Sequence, residues 1–300
     1  MTIDFKDKLK SDLHNHISLG MRYEVFRKWT AKKLPNMPKN FRGISGMRGY
    51  IDSFYKPNVK NSGDAFDLIE MGIEESIRDN VVLLEASVDI GTVKFFKNVD
   101  LFLARLDETI RKFKKQIDFK PDLGIPKNIP QETIVNWGIP CIKSGIFNGI
   151  DLYGPELDDV ARFSEIYSMA GDKKMIKKGH VGEFSSADSI VRMIEILGLQ
   201  EIQHGIAAAN SDKVMDYIRE NCIQLNICPA SNISLGVVSK IEEHPIRILY
   251  DRGIKVTINT DDLLFFNKSN SEQYQELFER GIFNYEEIDE IISNGLRSRG

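Results

Sequence analysis

His14 and His16 stand two apart in the stretch SDLHNHISLG, and they are two of only five histidines in a chain of 300 residues. In an extended segment, residues i and i+2 face the same way, so two imidazoles so placed can share one divalent cation. Such a pair can equally be two buried or surface histidines that hold nothing. Other polar residues favour the cation. KKGHVGEFSS carries His180 with Glu183 three residues on, EIQHGIAAA carries His204, and KVTINTDDLLFF runs into Asp261 and Asp262. Brought together, such residue types could hold one divalent cation.

Residues as distant as 14 and 262 can meet only if the elements bearing them end in one place. Strand-type runs at 12–17, 81–88, 117–126, 147–153, 175–181, 201–204, 223–228 and 254–259 alternate with helix-type segments. That alternation predicts βα units around a parallel sheet, although prolines weaken the reading of 117–126. The stretch SSADSIVRMIEILG shows how the helices are read: Ser and Asp at its start, Ile190, Met193, Ile194 and Leu197 at helical spacing, and Gly198 at its end. The same logic predicts helices at 63–79, 100–116, 211–221 and 242–253, and a closing helix at 285–300. Eight strands predict an α/β fold, a (β/α)8 barrel, whose C-terminal strand ends face one pocket.

Residues 21–60 read as a helical segment inserted after the first strand, a candidate lid over the barrel mouth. Its Phe41, Met47, Tyr50, Phe54 and Tyr55 either line an apolar pocket or pack among themselves. No repeat or linker interrupts the chain, so residues 1–300 are expected to form a single domain.

Lys and Arg number 40 against 44 Asp and Glu, a net charge of −4, which offers no basic surplus for a nucleic-acid polymer. Apolar runs such as VVLLEASV stop well short of a membrane span, and the N-terminus lacks the apolar core of a signal peptide. A cytoplasmic location is therefore expected. Cys141, Cys222 and Cys228 form no C-x-x-C pair and are read as reduced, small, buried side chains.

LHNH, IDLYGPE, GHVGE, QHG, CPASN and NTDD, in this order, resemble the adenosine/adenine deaminase family of zinc-dependent amidohydrolase barrels. The resemblance implies one Zn2+ per chain, held by His14, His16, His180 and Asp261. It implies His204 beside the metal as base or electrostatic orienter, with Asp261 sharing the proton, and Glu183 as the acid that protonates N1 of a 6-aminopurine. Asp262 would meet N7 and the Gly154 N–H would meet N3, with His16 and Ser18 at the ribose end. Glu183 as a helix-start acid, Asp262 as a cap and Gly154 as a turn residue are the plainer alternatives. His244, before a proline, is read as structural, and Ser231 and Asn232 as fixing their loop. The H-x-E and P-C-x-x-C signature of other zinc deaminases is absent.

Ser18 stands where purine nucleoside deaminases of this family often carry an acid for the ribose 5′-hydroxyl. The implied substrate is a small-molecule purine nucleoside, adenosine or deoxyadenosine, with free adenine or a 5′-modified adenosine left open. Ser87 replaces a common arginine, so a supporting contact is expected to be missing, and Leu263 replaces a common proline. Strand 147–153 has no lysine to bridge two metals, which favours one ion. Another mononuclear amidohydrolase and a non-catalytic purine-binding module remain the alternatives. No nucleic-acid polymer or membrane partner is expected, and the oligomeric state is left open.

Overall fold

The computed structural model describes residues 4–156 and 159–297. Strands Lys10–Asp12 (β1), Val81–Asp89 (β2), Asp118–Pro126 (β3), Gly149–Tyr153 (β4), Ile176–Val181 (β5), Glu201–His204 (β6), Gln224–Ile227 (β7) and Val256–Ile258 (β8) pair in sequence order. Every neighbouring pair is parallel. Helices run between successive strands, and Tyr285–Arg297 closes the chain against β1 and β8. This is the (β/α)8 barrel that the strand spacing predicts.

The helix Ala187–Leu197 buries Ile190, Met193, Ile194 and Leu197 and ends on Gly198 at φ 64°, a left-handed stop that favours glycine. β3 forms despite its prolines. The Pro121 carbonyl accepts from Asn148 N at 2.8 Å, just before β4 begins, so the missing proline N–H falls at the foot of the sheet, where it disrupts little.

The barrel closes differently from the expected 12–17 strand. β1 ends at Asp12, because Leu13 N donates to the Asn259 side chain at 2.8 Å instead of continuing a ladder. Past the strand ends, Asp261 N donates to His14 O at 2.8 Å and His16 N to Asp261 O at 3.3 Å. The seam between β8 and β1 is thus sealed by residues 14–16 and 261. The histidines lie beyond the first strand, His14 at a bend and His16 bridged to Ser87, with Asn15 between them bridged to Asp261.

Inside the barrel, Lys178 is fully buried and its Nζ contacts Glu85 (2.6 Å), Asp122 (2.7 Å) and Glu201 (3.8 Å). Most apolar burial lies between the strands and the outer helices. Between β1 and β2, residues 21–60 contain the helices Tyr23–Thr30 and Ile44–Tyr50, then a π turn Ile51–Tyr55. Their Tyr23, Phe26, Phe41 and Met47 form a separate cluster with Leu264 and Phe265. Among the described residues no helix is long and apolar enough to cross a membrane. Cys141 and Cys228 are buried as expected, but Cys222 is exposed. It sits at φ 54° in the turn after Asp212–Glu220, where its side chain faces outward.

Candidate active site

Beyond the strand ends, His14 Nε2 and His16 Nε2 lie 3.6 Å and 3.5 Å from Asp261 Oδ1. These separations are close to the edge, about 3.4 Å, of a tetrahedron around a zinc ion with bonds of about 2.1 Å. The nitrogens of His14, His16 and His180 lie within 4.8 Å of one another. His14 Nδ1 donates to Asn226 O (3.0 Å), and its buried Nε2 has no hydrogen-bond partner. A carbonyl on Nδ1 fixes the proton there and leaves the Nε2 lone pair free for a cation. Burial, then the neighbouring His204, pushes the His14 pKa well below normal and keeps the ring neutral. The donor set fits a zinc ion.

Cys228 also approaches His14, with Sγ at 3.2 Å from Nδ1. It is a weak rival as a ligand. Burial and then Asp261 hold the thiol protonated, far above its ordinary pKa, and metals bind the thiolate.

Two of the polar residues sit in left-handed backbone, His204 at φ 69° and Asp261 at φ 58°. Such conformations in non-glycine residues cost about 1–3 kcal/mol and tend to mark functional positions. His204 Nε2 lies 3.5 Å from Glu183 Oε2 and 3.9 Å from Asp261 Oδ2. Burial and the charges of His180 and His16 keep His204 neutral. Glu183 shows the opposite effect: burial, then Asp261 and Glu156, raises its carboxyl pKa far above normal.

The loop bearing Glu183 is held by Glu156, whose carboxylate accepts from the backbone N–H groups of Gly182 (3.1 Å), Glu183 (2.8 Å), Phe184 (3.1 Å) and Ser185 (2.7 Å). From the same side, Lys127 Nζ donates to His180 O at 2.7 Å. The sequence motifs contain Glu156 at the end of IDLYGPE, but nothing in one dimension shows it capping the GHVGE turn.

His16, Glu156, His180, Glu183, His204 and Asp261 border a cavity of about 460 Å³, lined also by Ser18, Gly154 and Asp262. Its outer wall comes from Ile44, Met47, Ile51 and Tyr55. Of the five aromatic and apolar candidates in 21–60, Met47 and Tyr55 face this cavity, while Phe41 packs edge-on against Tyr50 and Phe265. Phe54 borders a smaller side pocket with Tyr50. Asp262 is buried with Oδ1 unpartnered, and burial raises its pKa against the pull of His16. His16, by contrast, is raised: burial lowers it, but Asp262 and Asp261 outweigh that. Gly154 adopts φ 102°, which a side chain would strain. Ser18 is hydrogen-bonded to the Tyr55 phenol.

Four residues gain a position that sequence reading missed. Asp151 accepts from His180 Nε2 at 3.2 Å and from the Ser87 hydroxyl, so Ser87 supplies the supporting contact expected to be missing. Asn232, read as a loop residue, donates to Glu183 Oε1 at 2.7 Å. His244 stands behind it, with Nε2 at 3.1 Å from Asn232 Oδ1.

The chain matches the adenosine deaminase family over residues 10–299. It is 39% identical to a candidate adenosine/adenine deaminase of Treponema pallidum (strain Nichols), over 93% of this chain and 94% of that protein. It is 31% identical to an adenine deaminase of Crocosphaera subtropica, over 96% of this chain and 93% of that protein. Its fold overlays the crystal structure of an adenine deaminase from Arthrobacter aurescens with a TM-score of 0.82, at 19% identity, over 96% of this chain and 93% of that one. With the match spanning nearly every residue that builds the barrel and its mouth, the chain belongs to the adenosine deaminase family and is a deaminase among the hydrolases.

Proposed function

We propose that the protein deaminates a 6-aminopurine nucleoside hydrolytically, adenosine and deoxyadenosine first, with one zinc ion held by His14, His16, His180 and Asp261. The observation that carries the reading is a buried carboxyl, Glu183, whose pKa burial pushes up, on the same cavity as His16, His180 and Asp261. When bound, zinc is a Lewis acid that makes hydroxide available at neutral pH.

The residues of the chain do the rest. Glu183 delivers its proton to N1, which draws electrons from C6 and opens it to attack. His204, neutral, offers an N–H from Nε2 to the oxygen adding at C6, and Asp261 accepts the proton that oxygen loses. One water proton leaves with the amine as ammonia, and the other restores Glu183. The proton on N1 stays in the 6-oxopurine, inosine. Asp262 and the Gly154 N–H orient the ring through N7 and N3, while His16 and Ser18 face the sugar. Ile44, Met47 and Tyr55 shield the base from water, and closure of segment 21–60 over it would exclude more.

Free adenine or a 5′-modified adenosine is the second reading. It is favoured by Ser18, an uncharged group already engaged by Tyr55, and by the 31% likeness to the Crocosphaera subtropica adenine deaminase. Turnover of adenosine, deoxyadenosine, 5′-methylthioadenosine, AMP and adenine, followed by ammonia release, separates them. Adenosine should show the highest kcat/KM. A tenfold or greater preference for one of the last three replaces adenosine with that substrate, and silence on all five overturns purine deamination. A role in purine salvage would place the protein in the cytoplasm, with a small molecule as its only required partner.

The metal assignment has its own measurement. Elemental analysis should find close to a single zinc per chain, removed with activity by a chelator and restored by zinc. Two tightly held ions, or none after reconstitution, would remove the mononuclear assignment.

A further inference from the structure

We propose that His244 is a positioning residue that determines, through Asn232, which oxygen of Glu183 carries the proton. The inference rests on Glu183 as the proton donor of the proposed reaction. His244 belongs to no ligand set and lies behind the cavity wall, 4% exposed, at the start of the helix Ile246–Asp251. Pro245 has no N–H, so the first free donor of that helix is Ile246 N, which donates to His244 Nδ1 at 3.1 Å.

A backbone N–H cannot be reversed. Nδ1 must therefore accept, and in a neutral ring the proton sits on Nε2. Burial pushes the His244 pKa down to about 3, so the ring is neutral. The Nε2 proton points at Asn232 Oδ1, 3.1 Å away. That contact distinguishes the two ends of the Asn232 amide, which would otherwise be free to flip. With Oδ1 towards His244, Nδ2 faces the site, donating to Glu183 Oε1 at 2.7 Å and lying 3.4 Å from His204 Nδ1.

Both consequences concern protons. Glu183 Oε1 is committed as an acceptor, so the carboxyl proton belongs on Oε2, the oxygen that faces His204 Nε2 at 3.5 Å. His204 Nδ1 is likewise an acceptor, which puts its own proton on Nε2, the atom nearest Asp261. A flipped amide would set Oδ1 against Oε1 and Nδ2 against the His244 N–H. The first clash is relieved only by moving the Glu183 proton to Oε1, aimed away from the cavity. One backbone N–H thus sets the proton placement of two site residues in series.

Wild-type turnover of adenosine is measured first. Its absence from a zinc-loaded, folded protein, with every other purine also inert, overturns the proposed function together with this inference. Given turnover, His244→Phe should lower kcat about 10- to 100-fold with KM within a few-fold, the usual cost of losing an outer partner. His244→Gln, whose side-chain amide can donate to Oδ1, should recover most of that loss at an equal or lower melting temperature. A His244→Phe enzyme within about twofold of wild-type kcat, or equal losses in both variants that follow their melting temperatures, overturns the inference alone. Long-range nitrogen–proton NMR of the wild-type histidines tests it without any variant: His244 should show the Nε2–H tautomer, and the Nδ1–H tautomer overturns it.

Discussion

Replacing Glu183 with glutamine should lower kcat by about 10²- to 10⁴-fold, the range supplied by a positioned acid, while the zinc stays bound and KM changes little. Glutamine has the shape of the acid. Its Oε1 can still accept from Asn232 Nδ2, and its amide can still hydrogen-bond N1 of the purine. It cannot give up a proton, so binding survives and the transition state loses its support. Glu183 belongs to none of the metal-ligand groups among the described residues, so zinc content separates loss of chemistry from loss of metal.

The wild-type pH profile gives the sign. The raised pKa, caused by burial first and the charges of Asp261 and Glu156 second, favours the protonated acid. Activity should hold at neutral pH and fall on the alkaline side as Glu183 ionises, and the glutamine variant should lack that fall. Near wild-type kcat in the variant would exclude Glu183 as the proton donor.

Lys178→Met should destabilise the fold by about 3–5 kcal/mol, the cost of breaking a buried ion pair from one side. Lys178 Nζ lies among Glu85, Asp122 and Glu201 and also donates to Leu13 O at 3.3 Å. Without it, buried carboxyl groups face one another with their charge uncompensated. Burial raises the pKa of Asp122 even with the lysine present. The pH dependence follows: ionised carboxylates make the loss largest at neutral and alkaline pH, and protonation shrinks it towards acid. Denaturant titration at two pH values measures both. A loss below about 1 kcal/mol, the range of exposed pairs, would show that the cluster is neutral in the native protein.

The sequence made most of the barrel legible because helix and strand periods differ. Ile190, Met193, Ile194 and Leu197 face one way only on a helix, and Gly198 ends it. The alternation over 12–17 overstates the first strand, because a ladder and an isolated bridge carry the same side-chain pattern. His14 and His16 lie beyond β1, so the pattern finds the pair and misplaces its element. Lys178 was invisible for a related reason. IKKGHV contains two adjacent lysines, Lys177 and Lys178, and alternation alone does not say which is inside until partners on β2, β3 and β6 are known. Asn232 and His244 carry no residue-type signal of acid–base work. Their part comes from the direction of hydrogen bonds between segments remote in the chain.

The outer wall of the cavity has a consequence for how new specificities can arise. His14, His16 and Asp261 are fixed at the seam that closes the barrel, so altering them threatens the fold and the chemistry together. Ile44, Met47, Ile51 and Tyr55 instead belong to a segment packed largely on its own cluster around Phe26 and Phe41. Substitutions in that stretch can therefore reshape the outer wall of the cavity without touching the seam that closes the barrel.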